Sequence, residues 1–418
     1  MTSAADVVVV GGGLTGLVAG ATAARAGRRV VVHEARTCVG GRARSMDRHG
    51  FTLNEGPHAL YLGGEALPIL RGLGVEPTGA PPVVKGSTGL RDGALALLPA
   101  GPSALLRTPL LGARAKLRMA RLLTGLPKLD PDVLADRTLA SWLEEVCPEP
   151  DARAVLLSVI RTSTYTNDPE AVSAGAVVLQ LQRALGSGVL YLDGGWQRLV
   201  EGVRAAALDA GAELRPGSKV DRVLRGPGVV VGGIERPATS VIVAGLAPAG
   251  LARLLDGVSP AATAWAEGVR PARVAALDVC LRGPWGAPTS VVLGIDEAVY
   301  LSVHSVARVA PEGSTLVSLM RYLHPDEAAE PEADRRRLER LLDLVRAGWR
   351  DDAIEVRFQH RLVVANDIPR ASAGGLPGRP GPVIPDLPGV LVAGDWVGPS
   401  GMLADAALAS AVAAAVAA

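Results

Sequence analysis

Six residues near the N-terminus, Gly11-Gly12-Gly13-Leu14-Thr15-Gly16, set three glycines at the spacing G-x-G-x-x-G. Gly11 permits a tight turn, Gly13 lets the backbone approach a pyrophosphate, and Gly16 lets a helix pack closely on a strand. Leu14 and Thr15 open that helix, whose free N–H groups face phosphate charge. Glu34 stands about 20 residues on, where an acid can accept hydrogen bonds from both hydroxyls of a ribose. An acid there also repels a 2′-phosphate, which disfavours NADP. Ala35 and Arg36 flank it. The chemistry these residues support is the binding of a dinucleotide.

Elements of the right kind surround them. Asp6-Val7-Val8-Val9-Val10 is a β-branched run of the length of a buried parallel strand. Residues 14–26 are small and apolar and predict a helix, closed by Gly27 as a C-cap. Residues 29–33 predict a second strand that delivers Glu34. A Gly-rich turn in an ordinary βαβ unit is the alternative, and the strand before, the helix after and the acid beyond all argue against it.

Four stretches carry a resemblance. Cys38-Val39-Gly40-Gly41-Arg42-Ala43 resembles the GG-R signature of the large FAD family that includes phytoene desaturases, protoporphyrinogen oxidases and monoamine oxidases. In that family this loop meets the diphosphate and the flavin, and a guanidinium such as Arg42 forks onto phosphate oxygens. Without its glycines Arg42 would read as a surface arginine. Asn54-Glu55-Gly56-Pro57-His58-Ala59-Leu60-Tyr61 resembles the family segment along the isoalloxazine ring, where Gly56 and Pro57 make a stiff, close backbone. The family's acid is replaced here by Asn54. Tyr191-Leu192-Asp193-Gly194-Gly195-Trp196 and the stretch to Leu224 resemble a third region, in which the backbone matching Val220 contacts adenine. Residues 389–395, a strand ending in Gly394-Asp395, and the helix start around Gly401, Met402 and Leu403 resemble the family's C-terminal motif. There the Asp holds the ribityl chain and the helix N-terminus faces the negative charge of reduced flavin. No cysteine lies in this motif, so the resemblance implies non-covalent FAD.

The implied fold is α/β: a Rossmann-type FAD-binding domain from residues 1–86, 190–262 and 370–418, and an α+β substrate domain from 87–189 and 263–369. Residues 87–190 look largely helical, and 272–323 alternate as an antiparallel sheet. A charged amphipathic helix follows at 334–349, and 369–388 form a Pro/Gly-rich linker. Between residues 105 and 123, leucines interleave with Arg107, Arg114, Lys116, Arg118 and Arg121. Such a segment lies on a membrane surface or forms an ordinary helix with snorkelling arginines.

Composition narrows the function. The chain has 418 residues, 48% hydrophobic and 20% charged, a profile of globular domains. Its net charge of +1 and 3% aromatics give no footprint for nucleic acid. Cys38, Cys147 and Cys280 form no metal or redox pair and fit a reduced cytoplasm, and the acids are too spread for a metal site. Residues 1–6 lack the features of a signal peptide, and the apolar run 403–418 is shorter than the roughly 20 residues that span a bilayer.

The expected activity is dehydrogenation of a C–C, C–N or C–O bond in a largely apolar small molecule, by hydride transfer to flavin N5. With no second dinucleotide fingerprint, oxygen or a quinone-like molecule takes the electrons. His58 and Tyr61 are the side chains the resemblance places near the ring. His58 acts as base, orients substrate, or simply bonds backbone. Monoamine oxidases use a lysine near N5, and Lys85, Lys116, Lys128 and Lys219 all lie outside the sheet region. A redox-neutral isomerase, an amine oxidase and a binding protein like the Rab GDP-dissociation inhibitors share the scaffold; the intact Gly11, Gly13, Gly16, Glu34 and Arg42 count against the last.

Overall fold

A computed structural model describes residues 5–418. The reading of residues 1–6 as no signal segment therefore lies, up to residue 4, outside the described residues. The valine run forms the strand Ala5–Val10, which pairs in parallel with Val30–Glu34 on one side and Ile234–Ala244 on the other. Glu213–Pro216 and Val390–Ala393 extend this parallel layer at its two ends. Side chains alternate across it. Val7 and Val9 pack into a core with the helices Leu14–Arg25, Gln197–Asp209 and Leu403–Ala417. Val8 and Val10 pack into a second core with Val241, Val243, Val390 and Val392. A strand covered on both faces needs no polar alternation, which is why the run is continuous.

A seven-stranded sheet builds the second region, in the order Ala353–Ala365, Ala272–Leu281, Thr315–Leu323, Val299–Val303, Val291–Gly294, Thr88–Arg91, Ala94–Leu97. Its pairings are antiparallel except the one between Val291–Gly294 and Thr88–Arg91. The charged helix Pro331–Val345 lies on one face through Leu338, Leu341 and Leu342. The helices Ala113–Gly125, Leu139–Val146, Pro150–Thr164 and Ala174–Gly186 join the core of the other.

Two expectations are corrected. Residues 88–97, read as part of a largely helical stretch, form a hairpin turned by Asp92-Gly93, both at positive φ (51° and 73°). Asp-Gly between short apolar runs favours that turn. The long strand Ala353–Ala365, at the edge of this sheet, has no counterpart in the sequence expectations, and its Val363 and Val364 carbonyls accept from Arg42. In the basic segment, Leu110, Leu111 and Met119 are buried, whereas Leu106 and Leu117 are 75% and 54% exposed. Among the described residues no helix is long and apolar enough to cross a membrane, and no group of three or more His, Cys, Asp or Glu is placed for a metal ion.

Candidate functional site

The glycine turn is built as its spacing demands. Gly11 has φ +108°, and a Cβ there would sit 2.5 Å from the Ala244 carbonyl oxygen. A Cβ on Gly16 would sit 1.8 Å from the Gly11 carbonyl oxygen, so helix and strand touch. Gly13 differs: at φ −70° its missing Cβ would meet nothing nearer than Gly41 Cα at 3.8 Å. One side of the turn is thus open. The helix begins with a bond from Leu17 N–H to Gly13 O, so Thr15 and Gly16 offer amides with no partner inside the helix. No acid stands in its first turn.

Glu34 anchors this turn from the next strand. Its Oε2 accepts Gly12 N–H at 2.7 Å and its Oε1 accepts Arg36 N–H at 2.8 Å. A carboxylate has about four lone-pair sites, so two remain for a ligand's hydroxyls. Ala35 and Arg36 are exposed beside it. The carbonyls of Glu34 and Arg36 accept Ser218 N–H and Gly217 N–H, which brings buried Val220 to the same edge.

The chain's other end closes over the loop Gly40–Gly41. Asp395 is 3% exposed and accepts Arg42 Nη2 at 3.0 Å, Asn366 N–H at 3.1 Å and Asn366 Nδ2 at 2.8 Å. Arg42 also donates to the Val364 carbonyl, so its fork is turned to this acid and the long strand. Replacing Asp395 by Ala leaves a buried amide and a guanidinium without their acceptor. The expected loss, read by urea unfolding, is roughly 3 kcal/mol, and smaller for Asp395→Asn.

The helix Leu403–Ala417 starts at an N-cap, Met402, that has no capping side chain, after Gly401 at φ +66°. Leu403 itself is at φ +55°, a strained conformation for leucine. Arg379, from the stretch read only as a linker, donates to Gly401 O at 2.8 Å. Burial pushes its pKa down to about 10, while Asp395 and Asp367 work the other way. Asp405, in the helix's first turn, is buried, accepts Ala66 N–H at 2.9 Å and pairs with Arg183 at 3.4 Å.

His58 follows Gly56, which is at φ +98°. Its Nδ1 lies 2.8 Å from Gly56 O; a carbonyl only accepts, so this nitrogen carries the proton. The ring leans on Trp196 at 4.9 Å between centroids. Burial pushes its pKa down to about 4 against the Gly56 and Arg42 carbonyls, which favour protonation. Trp196 Nε1 is buried and has no hydrogen-bond partner among the described residues. Asn54, in place of an acid, accepts Ser45 Oγ and Trp196 N–H.

Local motifs gave no sign of what lies beyond. All five tyrosines of this aromatic-poor chain are buried and gather between the two regions. Tyr61 donates to Ser163 O at 2.7 Å. Tyr191 meets the Tyr300 hydroxyl at 2.8 Å and Ser302 at 2.9 Å. Tyr322 meets Thr162, and its ring lies 6.5 Å from Tyr165. His304, 8% exposed, stacks on Tyr191 at 4.2 Å, and burial pushes its pKa down to about 4. Burial raises all five phenols as well. Outside this region, a cleft of about 330 Å³ lined by Val75, Pro77, Leu192 and Arg198 shares none of these groups.

The sequence profile of the family described as flavin-containing amine oxidoreductase matches residues 14–418. An oxidoreductase from Methanosarcina mazei is 21% identical with a TM-score of 0.75, over 97% of this chain and 98% of that one. Cyclohexylamine oxidase from Brevibacterium oxydans is 19% identical with a TM-score of 0.71, over 99% of each chain. Putrescine oxidase bound to putrescine is 17% identical with a TM-score of 0.70, over 99% and 98%. No curated protein matches the sequence. At these identities the solved structures speak for a shared fold.

Proposed function

This chain belongs to the family of flavin-containing amine oxidoreductases, and from that premise we propose that it is an oxidoreductase that holds FAD non-covalently in a Rossmann-type domain and dehydrogenates a largely apolar small molecule. The observation that carries the reading is the open side of Gly13, faced by the amides of Thr15 and Gly16 and flanked by Glu34. That cradle fits a dinucleotide, and the unpartnered Trp196 Nε1 beside His58 fits a polar ligand reaching further in. Glu34 and the backbone at Val220 would hold the adenosine half, and Arg42, Asp395 and the start of the helix at Leu403 the flavin half. None of Cys38, Cys147 and Cys280 lies in the closing motif, which supports non-covalent binding.

When bound, the flavin supplies an electrophilic N5 that takes a hydride from a substrate C–H. The protein's part is position, dryness and proton handling. The tyrosines and the sheet wall off water. His58 donates Nδ1–H to Gly56 O and keeps a lone pair on Nε2, and His304, stacked in the tyrosine group, is a second proton acceptor; burial holds both uncharged above about pH 4. His304→Gln is expected to lower kcat by about 100-fold or more with little change in flavin content. The kcat/KM of the parent enzyme should show no ionisation of this group between pH 5 and 8, since it titrates near 4.

The bond oxidised is C–C, C–N or C–O. The family description favours C–N, while the lack of a lysine in the second sheet removes one device for amines. Oxygen or a quinone-like molecule serves as acceptor, and exposed Leu106 and Leu117 among Arg107, Arg114 and Arg121 support contact with an anionic membrane surface. Anaerobic addition of candidate substrates tests the reading: a true substrate bleaches the flavin band, and air restores it. Turnover without any acceptor would instead identify an isomerase.

A further inference from the structure

Among the described residues, Arg161 has no counter-charge within ion-pair distance. It sits in the last turn of the helix Pro150–Thr164, two residues before Ser163, whose carbonyl accepts the Tyr61 hydroxyl. Its Nε donates to Asn167 Oδ1 at 2.8 Å, and Asn167 Nδ2 donates in turn to Tyr322 O at 3.2 Å. The guanidinium plane is therefore fixed from behind. Its Nη1 is buried and without a hydrogen-bond partner, and no carboxylate among the described residues lies within ion-pair distance of it. Several other partly buried arginines each hold a carboxylate, although Nη1 of Arg346 and of Arg357 is also buried and unpaired. Arg183 holds Glu65 and Asp405, Arg321 holds Glu327, Arg346 holds Asp352, and Arg357 holds Asp278. Burial lowers the Arg161 pKa, opposed by the Tyr322 phenol and by no carboxylate. Gln180 donates to the same Ser163 carbonyl and leaves its Oε1 buried and unpaired.

A desolvated cation with an open donor is costly unless something anionic completes it. Helix termini favour cations at the C-terminal end, but that effect is small and needs no burial. The guanidinium fork matches a planar carboxylate. Tyr322, which acts electrostatically on Arg161, packs its ring 6.5 Å from that of Tyr165 at a 56° tilt, so flat aromatic side chains lie close by. We propose that Arg161 recognises a carboxylate on the substrate, and that the molecule oxidised here is an apolar acid with a flat body seated among Tyr61, Tyr165 and Tyr322. This rests on the flavin oxidoreductase reading and names the substrate class of that site.

Benzoate and its neutral isostere benzamide are the probes, titrated into the purified holoenzyme while the visible flavin band is followed. Benzoate is expected to perturb the band and to bind at least about tenfold tighter than benzamide, ~1.4 kcal/mol. Arg161→Met should weaken benzoate by about tenfold or more and leave benzamide within about twofold; Arg161→Lys, a charge without the fork, should fall between. Arg161→Met should not lower the thermal midpoint, because it removes an uncompensated buried charge. Equal binding of the two probes, equal weakening of both in Arg161→Met, or a lower midpoint with unchanged benzoate affinity would each overturn the proposal. A protein that carries no flavin fails the underlying reading before any probe is added, so the two failures are separable.

Discussion

Gly13→Ala will leave the fold standing and deprive it of its nucleotide, whereas Gly16→Ala will cost the fold itself. The two glycines sit three residues apart in one motif, yet their surroundings differ. An added Cβ at Gly16 lies 1.8 Å from the Gly11 carbonyl oxygen and 3.3 Å from Ala244 Cβ, both in the packed strand layer. Helix and strand must separate to admit it, which costs roughly 3 kcal/mol or more. At Gly13 the backbone is already at φ −70°, which alanine adopts freely, and the nearest atom is 3.8 Å away. Losing glycine at the N-cap costs about 1 kcal/mol, offset in part by the stiffer unfolded chain. The methyl group then points to the open side of the turn, where a pyrophosphate would lie. The expected result is a urea midpoint close to the parent's and flavin affinity weaker by roughly 100-fold, ~2.7 kcal/mol. Equal loss of stability in both variants would contradict this assignment of the open face.

Acid will unfold this protein through its buried histidines before its carboxylates take over. His33 and His304 are 2% and 8% exposed, and burial pushes each down to about 4 from an ordinary value of 6.5. Around His33 stand Arg215 and Arg236, which add to the depression, and Glu213, which opposes it. Around His304 stand Asp278, which opposes it, and His58, which adds to it. Above pH 6.5 neither the folded nor the unfolded imidazoles hold the extra proton, and these groups impose no slope. Between pH 6.5 and 4 the unfolded chain takes up protons that the folded chain refuses, so stability falls as pH falls. The loss approaches about 3 kcal/mol per histidine by pH 4. Asp193 and Glu213, held low by their bonds to Arg308 and Arg215, lose their contribution only as pH falls through the carboxylate range. Asp367 and Asp405, raised by burial, act in the opposite sense there. Urea midpoints measured from pH 7 to 5 therefore isolate the histidines. A falling curve is expected, and His33→Gln should make it shallower while His304 and His58, also pushed down to about 4, keep the rest of the slope; a flat curve in the parent would show that these rings titrate normally.

The parts of the site that could be read from sequence are those whose chemistry is contiguous. The turn from Gly11 to Gly16 needs each glycine for a reason visible in its neighbours, and strand, helix and Glu34 follow at fixed distances. The closing strand at 390–393 was legible for the same reason, as an apolar run buried on both faces. What escaped is assembled across distance. Tyr165, Tyr300 and Tyr322 stand far apart along the chain and share no spacing, so nothing local announces that they meet Tyr61 and Tyr191. Arg379 sits in a Pro/Gly-rich stretch that has no periodicity, and its role comes only from the fold bringing it to Gly401. The strand Ala353–Ala365 is partly exposed along nearly its whole length, so its side chains lack the clear in-and-out alternation of a sheet with one wet face. The hairpin at 88–97 was hidden in a leucine- and alanine-rich stretch whose composition favours helix, and only Asp92-Gly93 marked it.

The most direct test is the identity and stoichiometry of whatever the purified protein holds. Acid precipitation followed by chromatography of the supernatant should release FAD, close to one per chain, leaving a colourless pellet that marks the bond as non-covalent. A colourless protein that takes up no FAD on reconstitution, or one that releases NADP instead, would contradict the assignment of the Gly13 cradle and the helix at Leu403 to a flavin dinucleotide.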